Sequence, residues 1–101
     1  VTNIFKALSD PVRVEIVQRL SREEGFNLGS ISVDLGVTRQ GARKHLVVLE
    51  KAKIIRLSKK GRSTQVQLNK NSLNLVKDFI EKLEQQWDHR LHSLKKFVEE
   101  K

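Results

Sequence analysis

At 101 residues the chain has room for one domain with a modest core, and not for two lobes with a cleft between them. Its 20 lysines and arginines against 12 acidic residues give a formal net charge of +8, which points to a polyanionic partner, on a composition (32% charged, 38% hydrophobic) that suits a folded chain. Cysteine is absent, which excludes disulfides and thiolate chemistry, and the longest apolar run is only Leu46 to Leu49, so no membrane span or export signal is expected and a cytoplasmic location is.

Thr2 to Leu8 sets Ile4, Phe5 and Leu8 at helical spacing and stops at Ser9-Asp10-Pro11. Asp10 can cap the next helix, and Pro11 suits its first turn because that position has no intrahelical N–H bond to lose. In this second helix Val14, Ile16, Val17 and Leu20 make an apolar stripe that ends near Gly25. Both helices read as scaffold.

A short third helix is expected from Asn27, as cap, to Leu35, with Leu28, Ile31 and Leu35 on one face. Gly36 can take a positive φ after it, Val37 is expected to plug the corner, and Thr38 to cap the following helix. That helix, Arg39 to about Ala52, turns Ala42, Leu46 and Leu49 inward and Arg39, Gln40, Arg43 and Lys44 outward. A short helix, a glycine turn and a second helix with a cationic, amide-bearing first half is a helix-turn-helix, whose second helix enters the major groove.

Ile54 to Leu57 and Thr64 to Leu68 read as two strands by β-branching and alternation, joined by a polar turn, Ser58 to Ser63. A hairpin beside a recognition helix with a basic tip is a wing able to reach phosphates, although a plain surface hairpin kept soluble by its lysines would look the same. The charge decides between them. From Thr38 to Arg62 there are nine cations and one anion, Glu50, so the whole excess sits in this quarter of the chain, and the remainder is neutral with eleven of each sign.

Ser72 to about Glu100 reads as one long helix. Leu73, Ile80, Trp87 and Leu94 recur every seven residues, with Val76, Leu83, Leu91 and Val98 on the other seam position. Such a stripe exceeds what the small body can cover, so a second copy of the chain is the expected partner, with some folding back onto the first helix.

Three runs, Phe5-Lys6-Ala7-Leu8-Ser9-Asp10-Pro11-Val12-Arg13, Leu35 through Glu50 with its Gly36-Val37-Thr38-Arg39-Gln40 start, and Lys60-Gly61-Arg62, resemble the ArsR family of bacterial winged helix-turn-helix repressors over almost the whole chain. The resemblance implies a cytoplasmic homodimer on a pseudo-palindromic operator, with the terminal helices as its interface. The interface residues so expected are Phe5, Leu73, Val76, Ile80, Leu83, Trp87, Leu91, Leu94 and Val98. Metal sensors of the family use a cysteine pair in the third helix or a carboxylate and histidine set on the last one. Here the third helix has no cysteine, and the last has Asp88, His89 and His92 without a second, widely spaced histidine pair. His89 and His92 could hold zinc with a carboxylate of another chain, but surface histidines on a charged helix are the commoner case, so neither metal nor other cofactor is expected. The sequence resembles a branch with Trp87 and Leu91 on the last helix. Lys53 stands where many relatives have glycine, and Val66 where many have a wing tyrosine.

The expected fold is mainly α with a small β-hairpin: a single winged helix-turn-helix domain over 1–101, with the helix-turn-helix at 27–52, the wing at 54–68 and a long C-terminal dimerisation helix at 72–100. The expected DNA-binding set is Thr38, Arg39, Gln40, Gly41, Arg43, Lys44, His45, Lys59, Lys60, Arg62 and Ser63. Arg39, Gln40 and Arg43 can face base edges, since Gln pairs bidentately with adenine and Arg with guanine. Lys44, Lys59, Lys60, Arg62 and Ser63 suit phosphates, and Thr38 presents the helix start to the backbone. His45, behind the reading face, suits a supporting role, bonding a phosphate or core polar atoms. Repression on double-stranded DNA is the expected function, with a zinc-responsive version and a basic RNA- or protein-docking module as the alternatives. No paired carboxylates, activated nucleophile or phosphate-cradling loop can be assembled, so no enzyme is expected.

Overall fold

The computed structural model describes residues 1–99. Its elements in order are α1 (Thr2–Ala7), α2 (Pro11–Arg22), α3 (Leu28–Ile31), α4 (Arg39–Lys51), β1 (Ile55–Lys60), β2 (Ser63–Leu68) and α5 (Lys70–Glu99). This is the mainly helical winged helix-turn-helix with one antiparallel hairpin that the sequence predicts. The expected end of the last helix at residue 100 lies outside the described residues.

Local chemistry explains most of the helix starts. The Asp10 carboxylate accepts from the backbone N–H of Val12 (2.8 Å) and Arg13 (3.3 Å), with Pro11 at the first helical position. Asn27 caps α3 and receives a return bond, its own N–H donating to the Ser30 hydroxyl at 2.9 Å. Thr38 accepts from the N–H of Gly41 at 3.0 Å to open α4.

The third helix is shorter than expected, a single turn ending at Ile31 instead of reaching Leu35. Arg19 of α2 holds the segment that follows. Its guanidinium donates to the carbonyls of Ile31 (3.3 Å), Val33 and Asp34 (3.0 Å), while Glu15 holds its Nε at 3.1 Å. These bonds satisfy carbonyls that the chain turns toward α2 after the single turn, and Asp34 enters the left-handed region at φ 55°. Gly36 takes φ 73°, as its position requires. Val37 does not plug the corner, since it remains 37% exposed.

The wing also departs from expectation. Ser58, Lys59 and Lys60 belong to β1, and the turn is only Gly61-Arg62, with Gly61 at φ 61°, where a two-residue hairpin needs a residue without a Cβ. Register runs from Ile55 opposite Leu68 to Lys60 opposite Ser63. Alternation puts Ile55, Leu57, Lys59, Thr64, Val66 and Leu68 on the face toward the body, and Lys60 on the other face. A bridge between Asn27 and Gln65 and a bond from the N–H of Val66 to the carbonyl of Phe26 (3.0 Å) fasten the wing to the start of α3.

The core joins Ile4 and Ala7, Ile16 and Leu20, Ile31, Leu46 and Leu49, Ile54, Ile55 and Val66, with Ala42 also buried. Each fully buried Leu or Ile contributes about 1.5–3 kcal/mol. The last helix begins at Lys70, two residues before the expected Ser72, because Asn69 accepts from the N–H of Asn71 at 3.2 Å. Only its first two turns meet the core, through half-buried Val76, and every described residue from Lys77 on is exposed. The molecule therefore measures 70 × 25 × 22 Å with a radius of gyration of 18.9 Å, where a compact chain of this size has about 13 Å. Among the described residues no helix is long and apolar enough to cross a membrane.

Candidate nucleic-acid interface

Burying Ala42, Leu46 and Leu49 leaves the opposite side of α4 to Arg39, Gln40, Arg43 and Lys44, all exposed. Arg39 and Arg43, one turn apart, line a shallow groove together with Arg62, Ser63 and Thr64 of the wing and Asn27, Gly29 and Ser32 around α3. Three arginines, two from α4 and one from the hairpin turn, thus line one concave surface whose remaining wall is short polar residues with Leu28 and Leu46. Lys59 and Lys60 stand exposed at the hairpin tip, and Gln40 and Lys44 on α4, outside that groove.

Gly41 has a packing reason to be glycine. A Cβ there would meet the Thr38 hydroxyl at 3.2 Å and Val37 Cβ at 3.5 Å, crowding the cap that opens the helix. His45 is half-buried, and its Nδ1 lies 3.1 Å from Nη1 of Arg13. Below it, the Asp10 carboxyl is desolvated, which alone would raise its pKa. The N–H groups of Val12 and Arg13, aided by the charge of Arg13, outweigh this and hold it below the ordinary carboxylate value.

The apolar stripe of α5 is exposed as a set: Ile80, Leu83, Trp87 (57%), Leu91, Leu94 and Val98. Leu75, Phe79 and Phe97 join it, three residues that a strict seven-residue count leaves out. Phe79 meets Phe5 of α1 edge to face, with ring centroids 5.6 Å apart, so the expected partial fold-back onto the first helix is present, and Phe5 keeps 43% exposure. Asp88, His89 and His92 are exposed on α5, and among the described residues no three His, Cys, Asp or Glu side chains cluster as metal ligands would.

Sequence reasoning missed Arg13 and Arg19, whose carbonyl and imidazole partners lie outside α2. Their signal was the position of each on a half-buried face of α2, where a cation needs a reason to be.

Residues 8–58, from the end of α1 into β1, match the family model of a helix-turn-helix domain. The chain is similar to the HTH-type transcriptional regulator YuzN of Bacillus subtilis (strain 168), 38% identical over 85 residues that cover 77% of this chain and 92% of that protein. It is also similar to the transcriptional repressor SdpR of the same organism, 31% identical over 84 residues, covering 79% and 92%. Among solved structures, an ArsR-like transcriptional regulator from Rhodococcus sp. RHA1 superposes with a TM-score of 0.82 at 31% identity, covering 95% of this chain and 90% of that one.

Proposed function

The chain belongs to the ArsR family of winged helix-turn-helix, DNA-binding transcriptional regulators, and from that premise we propose that it is a repressor that grips a pseudo-palindromic duplex as a homodimer. The observation that carries the reading is the convergence of Arg39 and Arg43 of α4 with Arg62 of the wing on one groove, inside the segment that holds the whole charge excess. In this reading Arg39, Gln40 and Arg43 contact base edges through planar groups that form two directed bonds each. Lys44, Lys59, Lys60, Arg62 and Ser63 hold phosphates, with Thr38 and Gly41 shaping the helix start and His45 in support. Two copies meet through Phe5 and the stripe Leu73, Val76, Ile80, Leu83, Trp87, Leu91, Leu94 and Val98, which places two recognition helices on successive major grooves. A bare apolar stripe on an otherwise soluble body supports this pairing, and likeness to a named repressor supports the sign of regulation. A partner of this kind puts the protein in the cytoplasm.

The test is selection of duplexes from a random pool, followed by binding of the selected duplex, a scrambled duplex and a hairpin RNA, each with and without chelator. A selected sequence with two-fold symmetry, bound in preference to the others and indifferent to chelator, is the expected result. Equal binding of the hairpin RNA would overturn the reading.

A further inference from the structure

Arg13 joins three helices. From the first turn of α2 its Nε donates to the carbonyl of Ala7 at the end of α1, and its Nη1 lies 3.1 Å from Nδ1 of His45 on α4, all in a partly buried setting. Its own backbone N–H is held by Asp10 at 3.3 Å, so the arm starts from a fixed base. A guanidinium has only donors. Nδ1 of His45 must therefore supply a lone pair, which leaves the ring neutral with its proton on Nε2.

This contact holds α4 at mid-length, whereas the bond from the Ser72 hydroxyl of α5 to the Lys53 carbonyl lies past the end of α4; Ala42, Leu46 and Leu49 attach α4 by apolar packing, which is not directional. Side-chain tips stand about 5–6 Å from a helix axis, so a roll of about 10° moves them by about 1 Å, enough to spoil a bidentate bond to a base.

We propose that Arg13 is a positioning residue for sequence readout: by holding the Nε2-protonated form of His45 it sets the roll of α4 on α1 and α2, and so the aim of Arg39, Gln40 and Arg43. The inference rests on the duplex-DNA reading above. It makes Arg13 a determinant of specificity without contact to DNA.

The experiment compares the full-length protein with Arg13→Ala, His45→Leu, the double variant and His45→Asn, on the selected and scrambled duplexes over a range of salt. Asn carries an oxygen close to where Nδ1 stands. Arg13→Ala should weaken the selected duplex by about tenfold and leave the scrambled one and the salt slope nearly unchanged; His45→Leu should weaken the selected duplex by a similar factor, and the two losses should not add in the double variant. His45→Asn should retain most of the preference. Equal weakening on both duplexes with a shallower salt slope would make Arg13 a phosphate contact and overturn the proposal, as would additive losses. Long-range nitrogen NMR of the wild-type imidazole gives a test that no folding defect can obscure: a proton on Nδ1 overturns it. Wild-type protein that selects no duplex would instead refute the underlying reading, so the two failures are distinct.

Discussion

The hydroxyl of Ser72, in the first turn of α5, donates to the main-chain carbonyl of Lys53, the residue that leaves α4. Ser72 is the buried polar residue of the core, 4% exposed. Through this bond the long helix is seated on the recognition helix, next to the bond from the N–H of Asn69 to the carbonyl of Ile54 (2.8 Å). Ser72→Ala strands the Lys53 carbonyl and should cost about 1–3 kcal/mol, read as a lower denaturant midpoint at unchanged slope.

Lys53 itself offers the opposite effect. The N–H groups of Lys53 and Ile54 donate back to the carbonyls of Glu50 (2.9 Å) and Leu49 (3.0 Å), closing α4 in a motif whose outgoing residue is left-handed, and Lys53 sits there at φ 62°. Glycine fits that conformation without a Cβ clash. Lys53→Gly should therefore stabilise the fold by about 0.5–1 kcal/mol, less whatever its greater freedom in the unfolded chain returns. Thermal unfolding with no gain in midpoint would contradict this account of the helix end.

Asp10 makes one part of the stability depend on pH. Its folded pKa is depressed, so its contribution is present above the unfolded value of about 3.9 and is lost as pH falls through the lower folded value. Asp10→Ala should be clearly destabilised near neutral pH, with the gap to wild type narrowing as the pH falls below the unfolded carboxylate value and through the lower folded one. Denaturation curves that keep a constant gap over that interval would assign the effect to something other than the ionised cap.

Assembly is tested on α5. Leu83→Asp puts a charge in the middle of the stripe on each copy, and should cost several kcal/mol of association and yield monomers. Sedimentation that still finds dimers of the variant at micromolar concentration would remove the stripe from the interface.

Reading and holding separate by salt dependence. Arg43→Ala should lose about 1–3 kcal/mol of discrimination for each base pair it reads, while Lys60→Ala should weaken selected and scrambled duplexes alike and lower the salt slope by about 0.9 per lost phosphate contact. Base preference altered by Lys60→Ala, with uniform weakening from Arg43→Ala, would reverse the two roles.

The sequence is most legible where causes are local. Asp10, Asn27 and Thr38 each bond a backbone group two or three residues ahead, so their caps can be read from neighbours alone. The inward faces of α2 and α4 follow from helical spacing. What was not legible came from distance: Arg19 holds carbonyls 12 to 15 residues away, past the single turn of α3, and Arg13 meets His45 across 32 positions. Lys59 and Lys60 looked like turn residues by their polarity, but the tight Gly61-Arg62 turn draws them into the strand. Phe79 and Phe97 lie at the edge of the apolar arc, eighteen residues and therefore five full turns apart, a recurrence that a heptad count does not sample.

The pleat at the wing tip carries a last implication. Because Lys59 and Lys60 leave opposite faces of the hairpin, the tip is charged on both flanks, like a key cut on two edges. Inserted between the two strands of a duplex groove, it would be centred by a pull from each wall and not drawn against one. The phase of that arrangement is set upstream in the same strand, where buried Ile55 and half-buried Leu57 turn one face toward the body. One residue added between Leu57 and Lys59 would turn both lysines over and exchange the wall that each one meets.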